Sequence, residues 1–422
     1  MIYDVPAGWE LKGLQEISVC DPEESLKPDS IVKQINLDKL IPHQKYISGF
    51  EETRFAGKGS KFRNLDVLFP KILSALIGGK TALVTLLEDG EVGTGSAWFL
   101  VLRAIPQVSD PDFLYYLAIT PWFRETAFKA LEGTSSSQYI NAAVFLKNKF
   151  PIPPYEEQRR IADTLSAIDR KIQKNLEACN KLEEILKRIF QIWFVDFNFP
   201  DRNGRPYKGS GGAFYNSDLG EIPCGWSTGC LSELGEIVPG TTPPRHISDY
   251  YASENGYPWI TPKDLSRQNT KFIADSGVHI TKKGFHESKM HLLPRGSVLF
   301  SSRAPIGYIA ISSNDLTTNQ GFRSIIPKDG IGSTFLYYLL LNKTREITNM
   351  ASGTTFKEIS GAELKKLKVV IPDPATLSLF RAQNDSLATY QENLEKENRT
   401  LTQIRNALLP LLISGRLRIT GG

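Results

Sequence analysis

The sequence predicts an α+β fold in which two similar mixed α/β domains each lead into a long helix. Three observations point there. The chain repeats one plan twice, an apolar period of 3.5 residues follows the first copy, and short β-like runs alternate with Gly/Pro turns inside both.

The duplication is read from echoes in the same order. Gly8-Trp9 matches Gly225-Trp226, and Leu14-Gln-Glu-Ile17 is echoed by Leu234-Gly-Glu-Ile237. Val67-Leu-Phe69 matches Val298-Leu-Phe300, and Phe113-Leu-Tyr-Tyr-Leu117 recurs as Phe335-Leu-Tyr-Tyr-Leu339. Gly133-Thr134 pairs with Gly353-Thr354, and Ile152-Pro153 with Ile371-Pro372. Offsets of 217 to 231 residues are far longer than the roughly 20–50-residue period of a solenoid. Two domains related by an approximate two-fold are the natural reading.

Each copy ends in a helix. In the first, Ile161, Leu165, Ile168, Ile172, Leu176, Cys179, Leu182, Leu186 and Ile189 recur every 3.5 residues on average, the coiled-coil period. Pro153-Pro154 precedes it, Glu156 and Glu157 open it, and Lys187 and Arg188 close it, as the helix dipole prefers. In the second, Leu387, Tyr390, Leu394, Glu397, Leu401, Ile404, Leu408 and Leu411 alternate steps of 3 and 4. Each stripe needs a partner, and duplication makes the two helices each other's. Asn203-Gly204, Gly209, Gly211 and Gly212 read as a flexible connection. The expected boundaries are a first domain over 1–152, a first helix over 153–200 and a linker over 201–212, then a second domain over 213–372 and a second helix with its tail over 373–422.

Composition narrows the function classes. The chain has 422 residues, 41% hydrophobic and 23% charged, as in ordinary globular proteins. No apolar run reaches the roughly 18 residues of a membrane span. The start, Met1-Ile-Tyr-Asp-Val-Pro, lacks the basic-then-apolar plan of a secretory signal. Four cysteines make no disulfide framework, and Cys224 and Cys230 have no matching Cys or His pair for zinc. The expected compartment is the reducing cytoplasm. Net charge is +4 overall, but −2 over residues 1–150 and +5 over residues 201–370. A nucleic-acid partner would therefore meet a local face, or share its phosphates with other subunits.

Catalytic motifs are near misses. Gly79-Lys80-Thr81 resembles the end of a phosphate loop, but Ser74 stands where a glycine is needed and a strand-like run follows. Ile152-Pro-Pro-Tyr155 resembles an amino-methyltransferase motif, but Ile152 has no side chain to accept the target amine. His43, His246, His279, His286 and His291 show no metal-ligand spacing. Glu287-Ser-Lys289 lacks the acidic partner of a nuclease signature. The chain is expected to be non-catalytic on its own, with no metal or cofactor.

Binding remains. Two domains held apart by rigid helices form a caliper, a geometry suited to half-sites on DNA. In the first domain Lys58, Lys61, Arg63 and Lys71 form a basic cluster. In the second, Thr261, Lys263, Arg267, Gln268, Asn269, Ser302, Arg303, Asn319 and Gln320 are residues able to read base edges. Arg suits guanine, and Asn or Gln suits adenine.

Several longer segments carry a family resemblance across nearly the whole chain. They are Ile152-Pro-Pro-Tyr-Glu-Glu-Gln-Arg-Arg-Ile-Ala-Asp163, Phe190-Gln-Ile-Trp-Phe-Val-Asp-Phe197 and Pro258-Trp-Ile-Thr-Pro-Lys-Asp-Leu265. Val298-Leu-Phe-Ser-Ser-Arg-Ala-Pro-Ile-Gly307, Asn319-Gln-Gly-Phe322 and Leu408-Leu-Pro-Leu-Leu-Ile-Ser-Gly-Arg-Leu417 complete the set. The chain resembles the specificity (S) subunits of type I restriction–modification systems. The resemblance implies two target-recognition domains, each reading half of a split double-stranded DNA sequence, and two helices packed as an antiparallel coiled coil that fixes the spacer. It implies two modification (M) subunits with S-adenosylmethionine and the adenine-methylating site. It also implies restriction (R) subunits that use ATP and Mg. Because methylation needs the adenine flipped out, the chain would place the base and not transform it.

The sequence departs from the family pattern in its first domain. Ile77-Gly-Gly-Lys-Thr81 stands where Glu-Asn-Gly-Lys-Thr is common, and Ser96-Ala-Trp-Phe99 where Ser-Thr-Glu-Phe is common. A non-DNA coiled-coil scaffold and a self-contained enzyme with a divergent site are the competing readings. The first predicts no salt-dependent DNA binding, the second activity from the chain alone.

Overall fold

The computed structural model describes residues 5–134, 138–267, 270–303, 305–353 and 357–419. It divides into two compact units, residues 1–174 with 398–422 and residues 175–397. Each unit holds one globular domain and a stretch of both long helices.

The first unit is built on an antiparallel four-stranded sheet. Its order is Ser18–Cys20, Phe99–Ala104, Asp66–Pro70, Ala82–Leu83. Asp66–Pro70 is called β1 and Phe99–Ala104 β2. A second sheet orders Glu51–Arg54, Ile31–Ile35, Gly93–Gly95 and Ser60–Phe62. Helices Pro111–Ala118 and Pro121–Lys129 each start with proline after a capping side chain, Asp110 and Thr120. Their apolar residues, Phe113, Leu117 and Phe123 among them, close over the first sheet.

The second unit repeats this plan. A five-stranded sheet orders Gly235–Pro239, Arg323–Pro327, Val298–Phe300, Ile309–Ser312 and Phe272–Ile273. Val298–Phe300 is called β3 and Arg323–Pro327 β4. The duplicated Phe-Leu-Tyr-Tyr-Leu motif lies on helix Ser333–Met350, which packs on this sheet through Phe335 and Leu336. One echo is corrected. Leu14–Ile17 is a single helical turn whose Glu16 caps Gly13, and its counterpart is Leu231–Leu234, whose Glu233 caps Cys230. Leu234-Gly-Glu-Ile237 matched by apolar pattern but runs into the strand Gly235–Pro239.

The long helices are Tyr155–Phe190, called α1, and Pro374–Ile413, called α2. They run antiparallel within each unit. In the first unit Arg405 donates to Asp169 at 2.8 Å and Asn398 to the Ile172 carbonyl at 3.2 Å. In the second, Asn175 donates to Glu397 at 2.8 Å and Gln391 to Glu183 at 3.3 Å. On α1 the expected stripe is the covered face. Ile161, Leu165, Leu182 and Leu186 are buried, and Ile168, Ile172 and Leu176 are half-buried.

On α2 the buried face is rotated from the apolar stripe. Leu394 is buried and Leu387, Leu401 and Leu408 are half-buried, but Tyr390, Ile404 and Leu411 are exposed. Their place is taken by Asn384, Gln391, Glu395 and Arg405, all buried. The reason is chemical. Gln391, Glu395 and Arg405 find partners on α1 or on the neighbouring domain, and Asn384 donates to the Phe380 carbonyl of α2 itself, so hydrogen bonding decides the face where apolarity pointed elsewhere.

A buried lysine ties each domain to its stretch of helix. Lys45 bonds to Asp112, donates to Ser166 of α1 at 2.7 Å, and lies over the Tyr116 ring. Tyr116 in turn donates to Asp169 at 2.6 Å. In the second unit Lys271 donates to Tyr338 at 2.8 Å and lies 3.4 Å from Glu183 of α1. Glu395 of α2 accepts from the backbone N–H groups of Lys271 and Phe272. Tyr116 and Tyr338 are the same position of the duplicated motif.

The chain segments after each helix close on a tryptophan. After α2, Arg418 donates to Glu157 at 2.8 Å and to the Ala7 carbonyl, beside Trp9. After α1, Phe199 stacks on Trp226 and on Tyr207. The glycine-rich stretch read as flexible carries bonds of its own, with Asp201 holding Arg205 and Asn198 accepting from Gly209.

Two outcomes follow. Arg405→Ala leaves buried Asp169 with Tyr116 and is expected to cost about 3–5 kcal/mol. Ile404→Ala, one residue away on the exposed face, is expected to cost under about 0.5 kcal/mol. Equal shifts of the urea midpoint would show that the wrong face of α2 has been assigned. Burial pulls the Lys271 pKa down to about 8, against the pull of Glu183 and Glu395. The unfolded chain then binds the proton more tightly than the folded one, so this group adds stability as pH rises above about 8. The melting temperature of the native chain minus that of Lys271→Met is expected to increase from pH 7 to 9.5. A flat difference would refute the depressed lysine.

Candidate nucleic-acid interface

In the second unit, four loops far apart in sequence meet at one end of the sheets. Residues 240–246 follow the strand Gly235–Pro239, and residues 261–267 form the short helix Pro262–Arg267 with its lead-in. Residues 301–303 follow β3, and residues 319–322 precede β4. Backbone bonds lock them together. Thr241 donates to Thr318, Asn319 to Ile260, Gly240 to Phe322, and Ser302 to Gly321. Gly240 has to be glycine, since a Cβ there would lie 1.8 Å from the Asn319 carbonyl oxygen.

The candidate side chains divide by role. Lys263 and Arg267 are exposed and make no ion pair among the described residues. Gln320 is exposed, with its backbone N–H on the Thr242 hydroxyl. Arg303 is half-exposed and faces Glu358 at 3.8 Å, and Arg323 reaches the same carboxylate at 3.3 Å. Glu358 therefore aligns two guanidinium groups at the rim. Asn319 is half-buried and turns its carbonyl onto the Gly321 N–H, and Thr261 donates its hydroxyl to Asp264. Both shape loops. Gln268 and Asn269 lie outside the described residues.

Ser302 is a correction. It is fully buried and donates to the Gly321 carbonyl at 3.1 Å, so it holds the corner and reads no base. Arg245, Arg323 and Glu358 were not singled out from sequence. Arg245 is exposed in the 240–246 loop. Its signal was the Thr-Thr-Pro-Pro-Arg run directly after a strand-like segment.

The basic cluster of the first unit is internally compensated. Arg63 donates to Glu24 at 2.7 Å, and Arg103 bonds both Glu24 and Asp66. Lys61 donates to the Glu24 carbonyl, and Lys71 pairs with Asp21 at 3.0 Å. Burial raises the Glu24 pKa, but the bonds from Arg103 and Arg63 outweigh it and hold the carboxyl below its ordinary value. Lys58, at the turn before Ser60–Phe62, is exposed and has no partner among the described residues. The basic cluster thus builds a network around residues 21–24, with Lys58 at its margin.

The near-miss motifs are structural. Ile152 is buried in the strand Lys149–Ile152, paired with Glu10, and presents nothing to a target amine. Lys80 donates to the Leu37 carbonyl. Among the described residues no His, Cys, Asp and Glu gather into a metal site, and no helix is long and apolar enough to cross a membrane.

The family model of the type I restriction modification DNA specificity domain matches residues 66–186 and 223–409. This chain belongs to that family. The matched segments include β1 to β4 and most of both long helices. The type I restriction enzyme MjaIX specificity subunit of Methanocaldococcus jannaschii is 39% identical over 193 residues, 45% of this chain and 44% of that protein. The match thus spans less than half of that relative. The HindI specificity subunit of Haemophilus influenzae is 25% identical over 76% of this chain and 81% of its own length. The crystal structure of a type I system S subunit from M. genitalium covers 97% of this chain and 96% of its own, with a TM-score of 0.60 at 15% identity. That likeness is one of fold.

Ser302→Ala is expected to cost about 1 kcal/mol of stability through the lost buried hydrogen bond. The DNA sequence recognised is expected to stay the same. A changed target at unchanged stability would restore Ser302 as a reader.

Proposed function

We propose that the chain is the DNA-reading subunit of a type I restriction–modification assembly, with each unit reading one half of a split double-stranded target. The reading is carried by the loop cluster of the second unit, where Lys263, Arg267, Arg303 and Gln320 project from one backbone-locked rim. Cationic and amide side chains on a rigid frame are what base-edge recognition in the major groove requires. Two M subunits would carry S-adenosylmethionine and methylate adenine, and R subunits would use ATP and Mg. The chain supplies position. The modest net charge fits a subunit whose partners share the phosphate contacts. An assembly acting on cellular DNA places it in the cytoplasm.

The test is co-expression with the neighbouring modification chain and mapping of methylated adenines in host DNA. The expected result is a bipartite motif with a fixed gap, lost when this chain is deleted. Arg303→Ala is expected to relax one half of the motif only, by about 1–3 kcal/mol of base discrimination. Absence of any motif, with a modification chain competent beside another S chain, would favour the scaffold reading.

A further inference from the structure

The two units share a three-strand corner defined entirely by main-chain bonds. In the first, Lys71 after β1 donates to the Trp98 carbonyl before β2 at 2.7 Å, and Ile140 donates to the Lys71 carbonyl at 2.9 Å. In the second, Ser302 after β3 donates to the Gly321 carbonyl at 2.8 Å, and Ile359 donates to the Ser302 carbonyl at 3.0 Å. Ile72 bridges Tyr139 in one, and Arg303 bridges Glu358 in the other. The pattern makes Trp98 equivalent to Gly321, Tyr139 to Glu358 and Ile72 to Arg303. The inward member is isoleucine both times, Ile140 and Ile359, each buried.

The outward members differ in chemistry. The second unit presents Arg303 and Glu358 beside Asn319. The first presents Trp98, 48% exposed, and Tyr139, 39% exposed, with ring centroids 6.4 Å apart. A hydrogen bond to Glu132 engages the Tyr139 hydroxyl, so that residue offers its ring. Lys71 and its partner Asp21 flank the pair. The only apolar group that a base edge offers in the major groove is the 5-methyl of thymine.

We propose that Trp98 and Tyr139 are specificity-determining residues that read the first unit's half-target by apolar contact with thymine methyl groups. The second unit reads its half through the polar set at the same corner. The inference rests on the DNA-reading function proposed above and assigns its chemistry in one half.

The test uses the chain in complex with its modification subunit and the motif found by methylation mapping. Each thymine of one half is replaced in turn by deoxyuridine, and affinity is measured by fluorescence anisotropy. For the native complex, deoxyuridine in one half is expected to weaken binding about fourfold for each contacted methyl lost. Deoxyuridine in the other half is expected to have no such effect. Trp98→Gly, which installs the residue that the second unit carries there, is expected to abolish the deoxyuridine sensitivity and relax the motif in that half alone. Tyr139→Phe keeps the ring and is expected to retain it.

Insensitivity of the native complex to deoxyuridine overturns the inference, as does a motif with no thymine in either strand of one half. So does a Trp98→Gly complex that melts normally but loses its modification subunit, since the rings would then dock protein. A native complex that yields no bipartite motif refutes the broader function. A motif without methyl dependence refutes only this assignment.

Discussion

The buried polar contacts along the helix pair are the constraint on which the rest depends. An all-leucine seam could slip by a turn at modest cost, because one apolar pair resembles the next. Here a slip would separate Arg405 from Asp169 in the first unit and Asn175 from Glu397 in the second. An unpaired charge in such a place costs several kcal/mol, far more than the pair gains over an apolar seam. The polar ladder therefore buys register where it gives up some stability, as single buried polar residues do in coiled coils.

That register propagates outward inside each unit. Asp169 holds Arg405 on one oxygen and the Tyr116 hydroxyl on the other. Tyr116 lies under Lys45, which binds Ser166. In the second unit Glu395 accepts from the backbone that begins the strand Phe272–Ile273, while Lys271 reaches Tyr338. Each domain is thus keyed to particular helix residues. In the second unit the loops after β3 and before β4 lie at the same end of the sheet as the Lys271–Glu395 key.

The legible part of the sequence was what periodicity and repetition encode. The Phe-Leu-Tyr-Tyr-Leu motif marked equivalent helices because its aromatic residues fill the same core twice. The stripe on α1 was right because its apolar residues are the covered ones. On α2 the same rule chose Tyr390, Ile404 and Leu411, all exposed, because the covered positions carry Asn384, Gln391, Glu395 and Arg405. No period in apolarity can reveal a face held by hydrogen bonds. The site shows the same limit. Arg63 and Lys71 were basic residues close in sequence, and their partners Glu24 and Asp21 lie 39 and 50 residues away. Ser302 stood beside an arginine and pointed inward. Pairing across such distances belongs to the fold and not to the motif.

The equivalent corners explain how one framework can serve two chemistries. Their bonds run between N–H and carbonyl groups, so they are indifferent to the side chains that point outward. Gly321 and Trp98 both satisfy them. The isoleucine facing the core occupies each version, where volume is constrained by packing. Outward residues answer only to solvent or to a ligand, and substitution there costs little stability. A recognition surface built this way can change what it contacts without disturbing the buried polar contacts that hold it in place.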